Sequence, residues 1–566
     1  MESTGRTVAE LVRDRWGDHR PGLWCEETVL THHEVAAGAA ARAALLADLL
    51  PPDAEPHIGV LLGNTPEFPL WLGAAALAGA AVAGVNPTRR GAELARDILH
   101  TECRILVTER SHLPLLKGLD LPGVRLLVTG TEEYAGLLIP YADARPDASR
   151  ATPHDRFLLY FTSGSTGAPK AALCSQGRLA AAGRSLAGQF ALGPQDVHYL
   201  CMPMFHGNAV IAGWAPALVT GAGVALRRRF SASRFLPDVR RHGATYFTYV
   251  GRAIQYVLAT EPRSDDRDNP LRLGFGTEAG AVDAAAFERR FGVRLVEGYG
   301  SSEGGAAVQW SPGTPPGAVG PAAPGLVVLD PESREECPPA RFDAAGRLLN
   351  GDEAIGELVN QGPSSFEGYW RNPAAEAERR KRGSPRSSGA ASGGGWYWTG
   401  DLFYRDADGY LYFAGRTDDR LRVDGENLAA AMIENILARY EGAVAAAVYA
   451  VPDPVTGDQV MATIAGTFDP EAFTRFLLAQ PDLGTKMAPR FVRVVGRMPV
   501  TATNKIHRAA LRREGLRCAD PVWWRPPGES AYRLLTREDL EHAEGPPAPT
   551  RGPSPVRRQG LEPRTR

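Results

Sequence analysis

Residues 160 to 170 read Tyr160-Phe161-Thr162-Ser163-Gly164-Ser165-Thr166-Gly167-Ala168-Pro169-Lys170. Four hydroxyl side chains, two glycines and one lysine follow an apolar run there. That composition suits a polyphosphate. Backbone N–H groups and hydroxyls donate to phosphate oxygens, glycine lets the backbone come close, and lysine adds charge. The order is not the Walker A pattern, G-x-x-x-x-G-K-[ST]. Nor is the loop followed by the helix such a pattern feeds, since Ala171-Ala172-Leu173-Cys174 reads as another strand.

Five more motifs, one of them in two halves, carry groups of the same kind. Met202-Pro203-Met204-Phe205-His206-Gly207-Asn208 sets an aromatic ring beside an imidazole. Gly274-Phe275-Gly276-Thr277-Glu278 and Glu297-Gly298-Tyr299-Gly300-Ser301-Ser302-Glu303-Gly304 are glycine-rich, and a ring at Tyr299 can stack on a purine. Glu303 is the candidate magnesium carboxylate, because Mg²⁺ on a polyphosphate takes only one or two protein carboxylates and several waters. Further on come Trp396-Tyr397-Trp398-Thr399-Gly400-Asp401-Leu402, then Gly415-Arg416-Thr417-Asp418-Asp419-Arg420, then Pro499-Val500-Thr501-Ala502-Thr503-Asn504-Lys505-Ile506.

In this order, from about residue 160 to 510, the six motifs resemble the adenylate-forming (AMP-binding) superfamily of acyl-CoA synthetases, peptide-synthetase adenylation domains and luciferases. The resemblance implies a nucleotide site built from Thr162, Ser163, Gly164, Ser165, Thr166, Gly167, Lys170, Gly276, Thr277, Glu278, Tyr299, Gly300, Ser301 and Ser302, with Asp401 and Arg416 on the ribose. It implies an acyl pocket at Phe205, Tyr249 and Gly251, with His206 between that pocket and the nascent acyl phosphate. Glu303 would hold the metal, Lys505 would be the catalytic lysine, and Asp418 the hinge. The Gly425-Glu426-Asn427 sequence resembles the fatty-acid transport/very-long-chain acyl-CoA synthetase branch, and the nearest likeness is to actinobacterial long-chain-fatty-acid–CoA ligases. Asp424 stands where that branch usually has lysine, and Ser302 where threonine is usual.

The chemistry so implied has two steps. A carboxylate attacks the α-phosphorus of ATP to give acyl-AMP and pyrophosphate, with Mg²⁺, the phosphate loop and Lys505 neutralising charge. The small domain then turns about Asp418 and the thiol of coenzyme A displaces AMP. The expected substrate is a medium-chain, long-chain or bulky aliphatic acid. A fatty-acyl-AMP ligase loading an acyl carrier protein, a steroid side-chain carboxylate–CoA ligase and an inactive nucleotide-binding homologue are the alternatives. Acyl length, oligomeric state and pathway are not readable from the residues.

The elements that must position these groups follow from the patterning. At 566 residues the chain needs two or more cores. Strand-like and helix-like segments alternate through the first part: a strand over 56–62, a helix over 65–80 capped by Asn64 or Thr65, strands over 104–108, 124–129 and 157–162, a helix over 176–190, and a helix from Ser231 to His242 capped by Ser231. This pattern predicts an α/β fold with much parallel sheet, followed by a small α+β unit. The resemblance implies that these are a large, multi-subdomain N-terminal adenylation domain over 1–415 and a small, mobile lid over 416–520, with an extension over 521–566. Arg379–Gly395 reads as a disordered insertion and 546–566 as a disordered tail. A net charge of −2 gives no electrostatic case for nucleic acid. Six scattered cysteines without a C-x-x-C pair argue for a reducing compartment, and no segment reads as a signal peptide or membrane span. A cytoplasmic enzyme is expected.

Overall fold

The computed structural model describes residues 5–162, 170–344, 346–362, 364–381, 395–424, 426–453, 456–484, 486–501 and 505–544. The chain forms two units. The larger comprises Met1–Asp418 together with Pro499–His507, and the smaller comprises Asp419–Met498 with Arg508–Arg566.

Two parallel sheets make up the body of the larger unit. One runs Arg125–Thr129, Ile105–Glu109, His57–Leu61, Ala81–Gly84, Arg156–Thr162, Lys170–Ser175, parallel except for its last pair. The other runs Arg294–Glu297, Leu273–Thr277, Tyr246–Val250, Val197–Leu200, Gly223–Leu226, Pro21–Cys25, Thr28–Thr31, again parallel except for the last pair. His57–Leu61, Ile105–Glu109 and Tyr246–Val250 are buried at every position, as strands covered on both faces must be. One continuous apolar core spans both sheets, from Val60, Trp71 and Phe157 to Tyr199, Phe247 and Tyr249. The apolar window over 70–85 is the buried helix Glu67–Ala78 running into the strand Ala81–Gly84.

Two local expectations are corrected. The helix after His57–Leu61 begins at Glu67 behind Pro66, without a side-chain cap from Asn64 or Thr65. Asn64 is buried and spent elsewhere. Its Nδ2 donates to the carbonyls of Met202 (2.9 Å) and Arg227 (3.1 Å), and its Oδ1 accepts from the Met204 amide (2.9 Å). The cap residue thus became a stitch between the carboxyl ends of the two sheets. Ser231 precedes Ala232–His242 but makes no capping hydrogen bond.

A third, antiparallel sheet orders Gly320–Pro321, Tyr410–Arg416, Trp396–Arg405, Gly356–Asn360, Leu326–Leu329. Part of the stretch expected to be disordered is structured. Arg379 closes the helix Pro373–Arg379, and Arg380–Lys381 pair with Tyr397 and Trp396. The Arg379 guanidinium finds backbone acceptors, described below. Residues 382–394, like the tail beyond 544, lie outside the described residues.

The smaller unit is one mixed sheet with helices. Its strands run Glu426–Ala429, Arg420–Val423, Gly457–Gly466, Phe491–Val495, Val522–Trp524, Arg533–Leu534, with Ala443–Asp453 on Gly457–Gly466. The extension past residue 520 therefore supplies two of its strands. The helices Ala430–Leu437 and Pro470–Leu478 bury Ile433, Leu437 and Phe473 in its core. Cys25, Cys103, Cys174 and Cys201 are free and buried in the larger unit.

Candidate active site

The phosphate-loop residues Ser163, Gly164, Ser165, Thr166 and Gly167 lie outside the described residues. Their ends are described. Thr162 and Lys170 face each other as the last antiparallel pair of their two strands. Lys170 Nζ is 2.7 Å from Glu378 Oε2 and 5.8 Å from the centre of the Tyr369 ring. The Tyr369 hydroxyl donates to Glu303 Oε1 at 3.1 Å, and Glu303 is buried.

Glycines let the next segments converge. A Cβ on Gly84 would be 2.7 Å from the Phe205 carbonyl oxygen, so only glycine lets that strand pass beneath Phe205. A Cβ on Gly207 would be 3.1 Å from Ser302 Oγ, which puts the Phe205–His206 turn against the Tyr299–Glu303 turn. Asn208 Nδ2 donates to the Tyr249 carbonyl at 3.3 Å, and Tyr249 pairs in register with Gly276, and Val250 with Thr277. At Gly251 any Cβ would run into the Glu278 carbonyl oxygen. Glu278 itself is in the left-handed region (φ 68°), a strained state for a non-glycine residue. The Ala279 amide that follows donates to the Glu297 carboxylate. Burial pushes the Glu297 carboxyl up to about 8, against that hydrogen bond and with help from the Glu278 charge.

Lys505 belongs to the segment Pro499–His507 of this same unit, and its Nζ is 2.7 Å from Glu278 Oε1. His206 packs on Phe205 with ring centres 4.6 Å apart. Burial, assisted by the Lys505 charge, pushes its imidazole down to about 4, so the ring is neutral near pH 7.

On the third sheet the ladder breaks at Thr399-Gly400-Asp401. Val359 pairs with Trp398 but Glu357 with Leu402, so the longer strand bulges between them. Gly400 has φ 74°. Such a bulge re-aims a side chain at the cost of ladder hydrogen bonds. Here the Gly400 amide donates to Glu357 Oε1 (2.6 Å), the Asp401 amide to Thr399 Oγ1 (3.1 Å), and Thr399 Oγ1–H to the Leu358 carbonyl (2.7 Å). Asp401 Oδ2 accepts from the Tyr299 hydroxyl at 2.6 Å, and Oδ1 is 3.7 Å from Arg416 Nε. Burial raises the Asp401 carboxyl while Arg416 and the Tyr299 hydrogen bond oppose the rise. The Tyr299 ring stands edge-on to Phe403, centres 4.8 Å apart. Asp418 lies in the short turn Thr417–Asp419, at the end of the larger unit.

Three contributors had no sequence signal of their own. Asn64 holds Met202–Met204, Arg178 donates to the carbonyls of Leu173 (2.7 Å) and Ser302 (2.7 Å), and Arg379 sits on the bulge. All three act on backbone carbonyls, which no residue pattern announces.

The paired strand ends that flank the hydroxyl-rich run, a buried carboxylate, a carboxylate aimed by a bulge and a lysine thus share one unit. The model of the AMP-binding enzyme family matches residues 13–370, and that of the AMP-binding enzyme C-terminal domain matches 432–505. The chain belongs to the AMP-binding enzymes. Among AMP-binding enzymes it is 50% identical to a steroid-22-oyl-CoA synthetase of Rhodococcus jostii over 95% of this chain and 96% of that one. It is 44% identical to the medium/long-chain-fatty-acid–CoA ligase FadD17 of Mycobacterium tuberculosis over 92% and 99%. In fold it resembles the anthranilate CoA ligase AuaEII (TM-score 0.77, 21% identity, 90% and 97% covered) and ATP-bound MatB from Rhodopseudomonas palustris (TM-score 0.77, 22%, 90% and 98%). An α/β fold with a large N-terminal and a small C-terminal part is common to them. Among the described residues no helix is long and apolar enough to cross a membrane.

Proposed function

We propose that the protein is an AMP-forming acid–thiol ligase that joins a bulky aliphatic carboxylate to coenzyme A through an acyl-AMP intermediate. The observation that carries this reading is the convergence of Phe205–His206, Tyr249, Gly251 and Ser302 at the ends of the sheets, with Lys505 close enough to bear on His206. Of the substrates named for the relatives, a steroid side-chain acid of the 22-oyl type is favoured by the 50% identity over almost the whole chain. A medium- or long-chain fatty acid is the second reading, supported by the 44% relative.

In the first step the substrate carboxylate oxygen bonds to the α-phosphorus of ATP and pyrophosphate leaves. Two anions must meet, so cations have to stand where they meet. Lys505 supplies one, leaving Glu278 to bridge carboxylate and α-phosphate and fix the in-line approach. Lys170 supplies another, leaving Glu378 for the β- and γ-phosphates. Neutral His206 lies against the aromatic wall formed by Phe205 and adds no charge there. Asp401, already held by Tyr299, keeps acceptor capacity for ribose hydroxyls, with Arg416 beside it.

Magnesium is an expected companion of the nucleotide. Among the described residues no group of three or more His, Cys, Asp or Glu could hold a metal alone. Buried Glu303 offers the single hard oxygen ligand that suits an ion carried chiefly by phosphates and water. Bound there, Mg²⁺ would neutralise phosphate charge. In the second step the thiol of coenzyme A attacks the mixed anhydride and AMP leaves. That reading puts the enzyme in the cytoplasm, where both cosubstrates are.

The test is thioester formation by purified protein with ATP, Mg²⁺ and coenzyme A. The acids are steroid side-chain acids, fatty acids of graded length and aryl acids, with pyrophosphate and AMP followed separately. Coenzyme-A-dependent AMP release with steroid acids, above fatty acids, is expected. Pyrophosphate release with acyl-AMP accumulating despite coenzyme A would point to a carrier-protein ligase. Absence of both products with every acid would remove the enzymatic reading.

A further inference from the structure

Arg379 does more than end a helix. Where the strand Trp396–Arg405 bulges, one nitrogen of Arg379 donates to the carbonyls of both Trp398 and Thr399, at 3.3 and 2.6 Å. The fit is close. A Cβ on Gly400 would be 2.5 Å from that same nitrogen, so the guanidinium occupies the space a side chain at 400 would need. The other neighbours of Arg379 are functional groups. Its charge is felt by Tyr369, Tyr397 and Glu303, and by Asp401. Residue 378, next to it on the helix, holds the phosphate-loop lysine. Lysine could replace it only in part: one ammonium can take both carbonyls, but it lacks the further guanidinium nitrogens that also serve the Tyr369 hydroxyl.

We propose that Arg379 is a positioning residue for nucleotide recognition: by clamping the Trp398 and Thr399 carbonyls it fixes the bulge that aims Asp401 at the ribose. This rests on the reading of Asp401 as the ribose acceptor. The helix Pro373–Arg379 then links the two ends of the nucleotide, with Glu378 on the lysine of the phosphate loop and Arg379 on the ribose carboxylate.

The experiment is ATP–pyrophosphate exchange with the preferred acid, using ATP and 2′-deoxy-ATP as alternative substrates, for the full-length wild type, Arg379→Ala and Arg379→Lys. Thermal unfolding confirms that each variant is folded. In Arg379→Ala the KM for ATP should rise about tenfold or more, the scale expected for losing charge-assisted hydrogen bonds. The KM for 2′-deoxy-ATP should change far less, so the preference for the ribonucleotide collapses while kcat at saturating ATP stays within about threefold. Arg379→Lys should fall between, and it decides the matter if the alanine variant does not fold. Undiminished preference for ATP in the folded variants overturns the proposal. No preference in the wild type instead overturns the Asp401 reading. A merely structural role would lower both nucleotides alike and leave their ratio unchanged.

Discussion

In the proposed mechanism Lys505 is where the two half-reactions separate. Lys505→Ala should lower acyl-AMP formation by at least about a hundredfold, the upper part of the range for a positioned catalytic group. Conversion of supplied acyl-AMP to thioester should persist. Equal loss of both would show that the lysine serves something other than the approach of carboxylate to phosphate. At Glu303 the substitution Glu303→Gln keeps an oxygen to accept from Tyr369 but removes the charge. The Mg²⁺ concentration giving half-maximal exchange should rise about tenfold, and an unchanged Mg²⁺ titration would assign the metal elsewhere. His206 bears on pH. With its ring pushed down to about 4, it is uncharged throughout the working range, so the acid side of the adenylation profile should be the same in wild type and His206→Asn above pH 5. Candidates at this scale could be named from the chain because the proposed chemistry lives in side-chain types at fixed intervals: Tyr299, Glu303, Asp401 and Lys505 are each proposed for their own functional groups.

The elements show where such reading stops. The strands over 57–61, 105–109 and 246–250 announce themselves as short apolar runs, and their full burial explains why no alternation accompanies them. The bulge at Thr399–Asp401 could not be seen, because it is decided by partners distant in sequence: Glu357, Leu358 and Arg379. Arg379 was hidden by its neighbours, a basic and serine-rich run that looks unable to bury anything. Asn64 misled for a related reason, since asparagine before a helix usually caps it, and here tertiary acceptors outbid the local amides. The close approach of Gly251 to Glu278 gives the sharpest test at this scale. Gly251→Ala should cost about 1–3 kcal/mol of stability, the range for forcing an extra carbon into a packed site. It should also raise the KM for the acid, and a variant with wild-type melting and KM would mean that the backbone there yields freely.

For the whole molecule, the turn Thr417–Asp419 is the covalent path from the Tyr410–Arg416 strand into the smaller unit. Fixing φ there by Asp418→Pro should leave pyrophosphate release running and cut thioester formation by tenfold or more. Loss of both together would take the hinge role from Asp418. Stability should depend on pH through His198, which is fully buried with Nδ1 donating to the Gly213 carbonyl at 3.0 Å. Burial holds its ring at about 4, while the unfolded chain takes up the proton near 6.5. Stability is therefore lost as pH falls through that window, by about 2 kcal/mol between pH 7 and 5. Denaturant unfolding of wild type and His198→Asn at both pH values checks the sign: the slope should flatten in the variant. One further consequence concerns sulfur. An acyl-AMP will acylate any thiolate it meets, and the body that makes it contains Cys25, Cys103, Cys174 and Cys201. Burial pushes their thiols up to about 11, 12, 11 and 12. These four stay protonated and out of reach, so none of them competes with the sulfur of the cosubstrate for the activated acyl group.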